Sequence, residues 1–333
     1  MEMTRLYCPI ASAISPHHAR AREESLKWMS DYKLVRTEED LTRFAALRIP
    51  EFVARAYPYA EYEDLRVVLD WTLWGFAADD QHDTLVHKPE LLRARYLEHG
   101  EVIEEGLSDH VTSMHAALAD VRRRILERSN PGCLRRFAEA SREWFDSMHW
   151  EIMNRVRVTP PSPGHYMRMR EITVGMYTEY ALFDVSHQHR TDDSLWTDPD
   201  VRRLMAMCAN IIGWANDVFS YRKEQAVGDP HNLVLLLSAD RGLSIDEAVD
   251  QTIEMHNLEM VRFLELEESM RDRPSPREAL VADLIELMRS WIRGNVDWAF
   301  SSQRYGLGDG GLALPTESGI RPSFTLGASV TMA

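Results

Sequence analysis

A chain of 333 residues is long enough for one large domain or two smaller ones, and its 44% hydrophobic and 27% charged residues are those of a globular protein. The 53 acidic and 38 basic residues leave a formal net charge of −15, which argues against nucleic acid as a partner because phosphate backbones call for a basic face. No signal pattern opens the chain, no apolar run reaches the roughly 18 residues of a membrane span, and Cys8, Cys133 and Cys208 lack metal-ligand spacing, so a reduced, cytoplasmic protein is expected.

Nearly everything from residue 16 to residue 303 reads as helix, in one all-α domain over 16–305 preceded by a short segment over 1–15. Ser15-Pro16 marks a helix start before "HHARAREESLKWMSDYKLV". "TEEDLTRFAALRIPEFVARAY" opens on Thr37 and an acidic first turn, which suits the helix dipole. "EDLRVVLDWTLWGFAADDQHD", "DHVTSMHAALADVRRRILERS" and "CLRRFAEASREWFDSMHWEIMNRVR" repeat apolar residues at i, i+3, i+4 and i+7. "TPPSPGHY" (159–166) reads as a loop before another helix. After "HRTDDSLWTDPD" come a helix ending in "GWANDVFSYRKE", the loop "AVGDPHN", and the helices "SIDEAVDQTIEMHNLEMVRFLELEESM" and "PREALVADLIELMRSWIRGNVDWAFSSQRY". Residues 306–333 are rich in Gly, Ser, Thr and Pro and are expected to form a mobile tail. Its glycines are no dinucleotide fingerprint, since no strand precedes them and no helix follows.

Two polar clusters interrupt otherwise apolar helices. Asp79, Asp80 and Asp83 close the first of them, where carboxylates oppose the helix dipole and a bound cation would offset that cost. Alone, the cluster reads as readily as a solvated helix end, but the run "VVLDWTLWGFAA" before it is too apolar for a surface helix. Asn216, Ser220 and Glu224 recur at four-residue spacing, which stacks three oxygens on one helical face. Alone, a polar helix face is the plainer reading. Together, the two clusters suit a metal site between facing helices of a bundle.

"DDQHD" followed by "NDVFSYRKE", then "GDPHNLV" and a late "RY", resembles the microbial class I terpene cyclases, in an ordered set spanning roughly residues 5–305. The resemblance implies a helical bundle around a central cavity and a Mg²⁺-dependent enzyme, with three ions bound alongside an isoprenyl diphosphate. Asp79, supported by Asp80 and Asp83, would hold one part of the metal cluster, and Asn216, Ser220 and Glu224 another. Lys223, Arg304 and Tyr305 match diphosphate-holding positions. Arg170, 46 residues before Asn216, matches the family's diphosphate sensor, Thr173 its linker, and Val174 the effector whose carbonyl faces the reacting carbon. Antiparallel homodimers are common in the family.

The physical logic does not need the family. An allylic diphosphate leaves only when its charge is neutralised, and the cation left behind needs a dry pocket with aromatic faces. Trp71, Trp74, Phe76, Phe219, Trp291, Trp298 and Phe300 are candidates, with about a third expected on the cavity wall and Phe76 and Trp298 foremost. Where the family often carries an aromatic pair before the aspartates, this chain has Gly75-Phe76-Ala77-Ala78, so the pocket floor should differ. Glu179 is placed to approach the pocket, although an exposed or paired carboxylate is the plainer expectation. His187 and His189 in "SHQHR" read as loop residues, because Mg²⁺ prefers oxygen.

Farnesyl diphosphate is the expected substrate, with geranyl and geranylgeranyl diphosphate as alternatives. A prenyl-elongating transferase would carry a second Asp-Asp-x-x-Asp motif, and "RTDDSLW" lacks its third aspartate. The Asp-x-Asp-Asp motif of protonation-initiated cyclases is missing from the sequence. A non-catalytic binding protein would show broken ligands, and the expected ligands are intact.

Overall fold

A computed structural model describes residues 5–85, 87–106, 111–272 and 277–302, without the side chains of residues 82–84. Among the described residues the chain is helical and contains no β-strand. Helix α1 (His18–Asp31) begins two residues later than Ser15-Pro16 suggests, although the Ser15 hydroxyl still accepts the His17 amide at 3.2 Å. The segment expected as one helix from Thr37 onward is two, α2 (Glu38–Ala46) and α3 (Ile49–Ala56). Thr37 caps the first, accepting the Asp40 amide at 3.0 Å. Between them Arg48 takes a left-handed φ of 54°, and Pro50 sits in the first turn of α3, where its missing N–H costs nothing.

Helix α4 (Tyr62–Leu85) is buried on nearly every side through Leu65, Val68, Leu69, Leu73 and Trp74, as an apolar run of this length requires. It packs on α3, α1 and α6 (Ser113–Arg128). Asp70 in α4 is fully buried but receives Arg66 at 2.9 Å and Arg124 of α6 at 2.8 Å, which pins the two helices together. Helix α5 (Pro89–Glu105) has no side-chain cap on its Lys88 start, only Pro89 at its first position, and the periodicity did not single it out. It packs against α7 (Pro131–Arg157). Helix α8 (Pro163–Thr173) starts inside the expected 159–166 loop, because Ser162 and Pro163 form a cap and first residue.

Three short helices follow, α9 (Met176–Ala181), α10 (Phe183–Ser186) and α11 (Asp193–Trp196), before the 29-residue α12 (Pro199–Val227). That helix is the centre of the molecule, flanked by α8, α13 (Leu233–Arg241), α14 (Ile245–Arg271) and α15 (Glu278–Ser301), and α15 packs in turn on α3. Residues 5–15 lie across the outside of this assembly, with Leu6, Cys8 and Ile10 buried and the Tyr7 amide bonded to Asn257 of α14 at 2.7 Å. The three cysteines are free and buried. No helix among the described residues is long and apolar enough to cross a membrane. Helices α3, α4, α7, α8, α9, α12 and α15 surround one central cavity.

Candidate active site

The cavity measures about 770 Å³, within the range of small-molecule pockets. Asp79 on α4 lines it. Asp80, one residue on and therefore about 100° around the helix, meets Arg43 of α2 at 3.1 Å and is not among the lining residues. The Asp83 side chain lies outside the described residues, as do Arg304, Tyr305 and the 306–333 tail.

Across the cavity, Asn216, Lys223 and Glu224 of α12 reach the wall, with Lys223 exposed at the rim and Ser220 buried beneath. Helix α12 ends at Gly228, and the chain doubles back through "DPHN" so that Asn232 lands against the helix it has just left. The Asn232 amide donates to Glu224 Oε2 at 2.6 Å, Ser220 Oγ at 3.3 Å and the Asp217 carbonyl at 2.8 Å, while its oxygen caps α13. Ser220 and Glu224 therefore converge on one point. Burial, and Asp217 after it, push the Glu224 carboxyl up to about 7.

Arg170 on α8 is held by its surroundings in a single pose. Its Nε donates to Asp217 at 3.0 Å and its Nη2 to Asn216 Oδ1 at 2.8 Å. Burial opposes the guanidinium charge, but Asp217 together with Tyr166, Glu151 and Glu224 outweighs it and raises the arginine further above its ordinary value. Gly213 makes room for this arrangement, since a Cβ there would lie 3.2 Å from Arg170 Cγ. Asp217 is itself 1% exposed and also accepts the Tyr166 hydroxyl and the Leu233 amide, each at 3.0 Å.

Thr173 ends α8, Val174 follows it, and both face the cavity. The helix breaks there because Gly175 takes a φ of 81°, which starts α9 at a new angle. The Thr173 hydroxyl is buried without a hydrogen-bond partner among the described residues, and its carbonyl accepts Trp144 Nε1 at 3.3 Å.

The apolar wall comes from Phe52, Trp71, Phe76, Trp144, Trp291 and Trp298. Four of the seven candidate aromatics line the cavity, more than the third expected. Trp74 instead donates to the Met114 carbonyl at 3.0 Å, and Phe219 packs edge-on against Phe300. Trp298 stacks on Phe52 with centroids 4.8 Å apart and meets Phe76 edge-on at 6.0 Å. The bulk missing at Gly75 is supplied from another helix, because Trp144 of α7 lies 3.6 Å from where its Cβ would be.

Several lining residues had no signal strong enough to single them out. Glu151 and Arg155 of α7 face Asp229 and His231 of the returning loop, and Asp229 accepts Arg155 at 2.6 Å and His231 Nδ1 at 2.8 Å. The quoted "GDPHN" was the available hint. Glu179, expected exposed or paired, is buried in the wall and bonded to Tyr57 and Thr72. Outside the cavity, His187 Nδ1 contacts Ser186 Oγ at 2.8 Å and His189 Nε2 contacts Asp283 at 2.9 Å, so neither histidine serves this site.

Asp79, Asn216, Ser220 and Glu224 offer oxygen, the donor type of hard divalent cations, and a half-buried Glu224 carboxyl with no ion pair among the described residues suits one. A helical bundle with such donors on opposing helices at one end of an aromatic-walled chamber is built as class I terpene synthases are.

Comparison with known proteins agrees. The family model described as terpene synthase family 2, C-terminal metal binding, matches residues 70–262. Germacrene A synthase of Nostoc punctiforme is 31% identical over 90% of this chain and 94% of that protein. The (+)-T-muurolol synthase of Roseiflexus castenholzii, named as farnesyl diphosphate cyclizing, is 32% identical over 90% and 93%. A crystal structure of SVS_A2, a protein from ancestral sequence reconstruction, superposes with a TM-score of 0.80 at 26% identity, covering 94% of this chain and 93% of that one. The chain belongs to the terpene synthase family, and it is a metal-binding terpene synthase.

Proposed function

We propose that the protein ionises a linear isoprenyl diphosphate, farnesyl diphosphate foremost, with Mg²⁺, and cyclises the resulting cation to a sesquiterpene hydrocarbon or alcohol. The observation that carries this reading is the cavity itself, with Asp79 and Asn216–Glu224 on opposing walls and an aromatic chamber between α3, α4, α7 and α15. The farnesyl diphosphate substrate named for the Roseiflexus relative supports the chain length.

Asp79, Asn216, Ser220 and Glu224 would hold the metal ions, which supply Lewis-acid neutralisation of the diphosphate as it leaves. The chain's own residues do the rest. Arg170, locked by Asp217, presents a fixed cation beside the metal-binding face, so little reorganisation is needed when negative charge develops. Lys223 adds a flexible cation at the rim. Val174 and Thr173, brought to the wall by the helix break at Gly175, set a polar backbone edge against the reacting end of the substrate. The rings of Phe76, Trp298, Phe52 and Trp71 exclude water and offer π faces to the migrating charge.

The test is incubation with geranyl, farnesyl and geranylgeranyl diphosphate separately, with Mg²⁺ or with EDTA, followed by gas chromatography–mass spectrometry and a diphosphate assay. A Mg²⁺-dependent cyclic C15 product from farnesyl diphosphate is expected. Turnover of only the shorter or longer substrate would correct the chain length. Elongated diphosphates on adding isopentenyl diphosphate, or no diphosphate release at all, would overturn the cyclase.

A further inference from the structure

Glu179 lies in the cavity wall on α9, 5% exposed, and no ion pair to it occurs among the described residues. Its Oε2 accepts the Tyr57 hydroxyl at 2.8 Å. Its Oε1 is 3.1 Å from Thr72 Oγ1, and that same hydroxyl is 2.8 Å from the Val68 carbonyl one turn back in α4. A carbonyl can only accept, and Thr72 has a single hydroxyl hydrogen. If that hydrogen goes to Val68, the usual back-bond of a threonine within a helix, the Oε1–Oγ1 contact needs a hydrogen from Glu179. With the Thr72 hydrogen on Val68, the proton of this contact belongs to Glu179 Oε1. Burial acts in the same direction and pushes the carboxyl up to about 8, against the pull of Tyr57 and Thr72.

This acid stands apart from the metal-binding rim. Thr72 precedes Asp79 by seven positions on α4, about 10 Å along the helix axis, so Glu179 faces the hydrocarbon end of the chamber, alongside Trp71 and Trp291. Neither the metal ligands nor the diphosphate contacts call for a neutral carboxylic acid there. A buried acid with a relaxed carboxylate partner set is what proton transfer to a hydrocarbon needs.

Resting on the ionising reading above, we propose that Glu179 is a catalytic acid–base that protonates a double bond of a neutral, once-cyclised intermediate in the same cavity and later recovers a proton. After the first cation has lost a proton to the departed diphosphate, the Glu179 O–H bond breaks and the alkene π pair forms a C–H bond, leaving a tertiary cation. The new carboxylate keeps the Tyr57 hydrogen bond, and Thr72 turns its hydroxyl from Val68 to Oε1. Once the second ring has closed, a C–H bond beside the final cation breaks, its electron pair forms the product alkene, and the proton returns to Glu179. No oxidant or further reactant is required.

The experiment runs the wild type, Glu179→Gln and Glu179→Asp with farnesyl diphosphate and Mg²⁺ in D₂O, recording deuterium content, product identity and diphosphate released. The wild-type product is expected to carry one deuterium. In Glu179→Gln, the deuterated share per diphosphate released should fall about tenfold or more and a singly cyclised, undeuterated hydrocarbon should replace it. Glu179→Asp, with the acid withdrawn by one methylene, should retain part of the deuterated product, and it serves as the reading variant if the glutamine form does not fold. Wild-type product without deuterium, or undiminished deuterium in the variants, overturns the proposal while diphosphate release leaves the ionising reading standing. No diphosphate release by the wild type would instead sink both.

Discussion

Arg170 donates to Asn216 Oδ1 at 2.8 Å, so the arginine and the first residue of the α12 triad form one hydrogen-bonded unit, with Asp217 securing the arginine from the other side at 3.0 Å. A lysine at this position would keep a charge near Asp217 but could not reach both partners with one planar group. Arg170→Lys is expected to fold and to release diphosphate about 10²-fold or more slowly than the wild type. Arg170→Gln leaves Asp217 buried without its cation and should also cost about 3–5 kcal/mol of stability. Steady-state diphosphate assays and thermal melts check the pair, and an unimpaired Arg170→Lys would mean that the fork does not bear on turnover.

Asp79 and Asp80 are neighbours in sequence and differ in what they face. Asp79 lines the cavity, whereas Asp80 pairs with Arg43 at 3.1 Å on an exposed edge. Asp79→Asn should lower turnover by about 10²-fold or more. Asp80→Asn should lose only a surface ion pair, about 0–1 kcal/mol, and keep most of its activity. Kinetics at saturating Mg²⁺ distinguish them. Equal losses would place both carboxylates in the metal site.

What could be read from the sequence was what helical periodicity encodes locally. Asn216, Ser220 and Glu224 share a face because they are four apart, and the length of α4 follows from its unbroken apolar run. Which neighbour Asp80 would find depended on where α2 packs, and the helix spacing does not contain that. The Glu179 site is the clearest case. Tyr57 and Thr72 are 122 and 107 residues from it in sequence, and only the joint packing of α3, α4 and α9 makes them one site. At the α2–α3 break Pro50 is the one compositional mark, fitting a first turn, while the turn itself falls on Arg48, an ordinary residue in a left-handed conformation that sequence does not flag.

Asn232 joins a structural task to a functional one. Its side-chain oxygen caps α13, and its amide holds Ser220 and Glu224 together. Asn232→Ala should lose the cap, about 1 kcal/mol, and raise the Mg²⁺ concentration for half-maximal activity by about tenfold or more, as loss of a ligand-orienting partner does. Asn232→Ser retains a capping oxygen without an amide donor. It should melt near the wild type yet keep the metal defect, which separates the two roles. A serine variant with wild-type Mg²⁺ dependence would confine Asn232 to capping.

A neutral Glu179 also has a consequence for stability that needs no substrate. Its carboxyl titrates near 8 in the folded protein against an ordinary value of 4.5. Between those values the folded state keeps a proton that the unfolded state releases, so unfolding is favoured progressively as pH rises. Below about 4.5 both states are protonated and above about 8 neither is, so this contribution is present at low pH and lost across the window between. Glu179→Gln cannot titrate. In thermal melts without Mg²⁺, the wild type should therefore lose more stability than the variant from about pH 5 to 8, by a few kcal/mol at 25 °C. Glu224, raised to about 7, contributes a slope of the same sign to both proteins and cancels in the difference. Parallel slopes would show that Glu179 is already ionised at neutral pH in the fold, and the proton on its Oε1 would have to be given up.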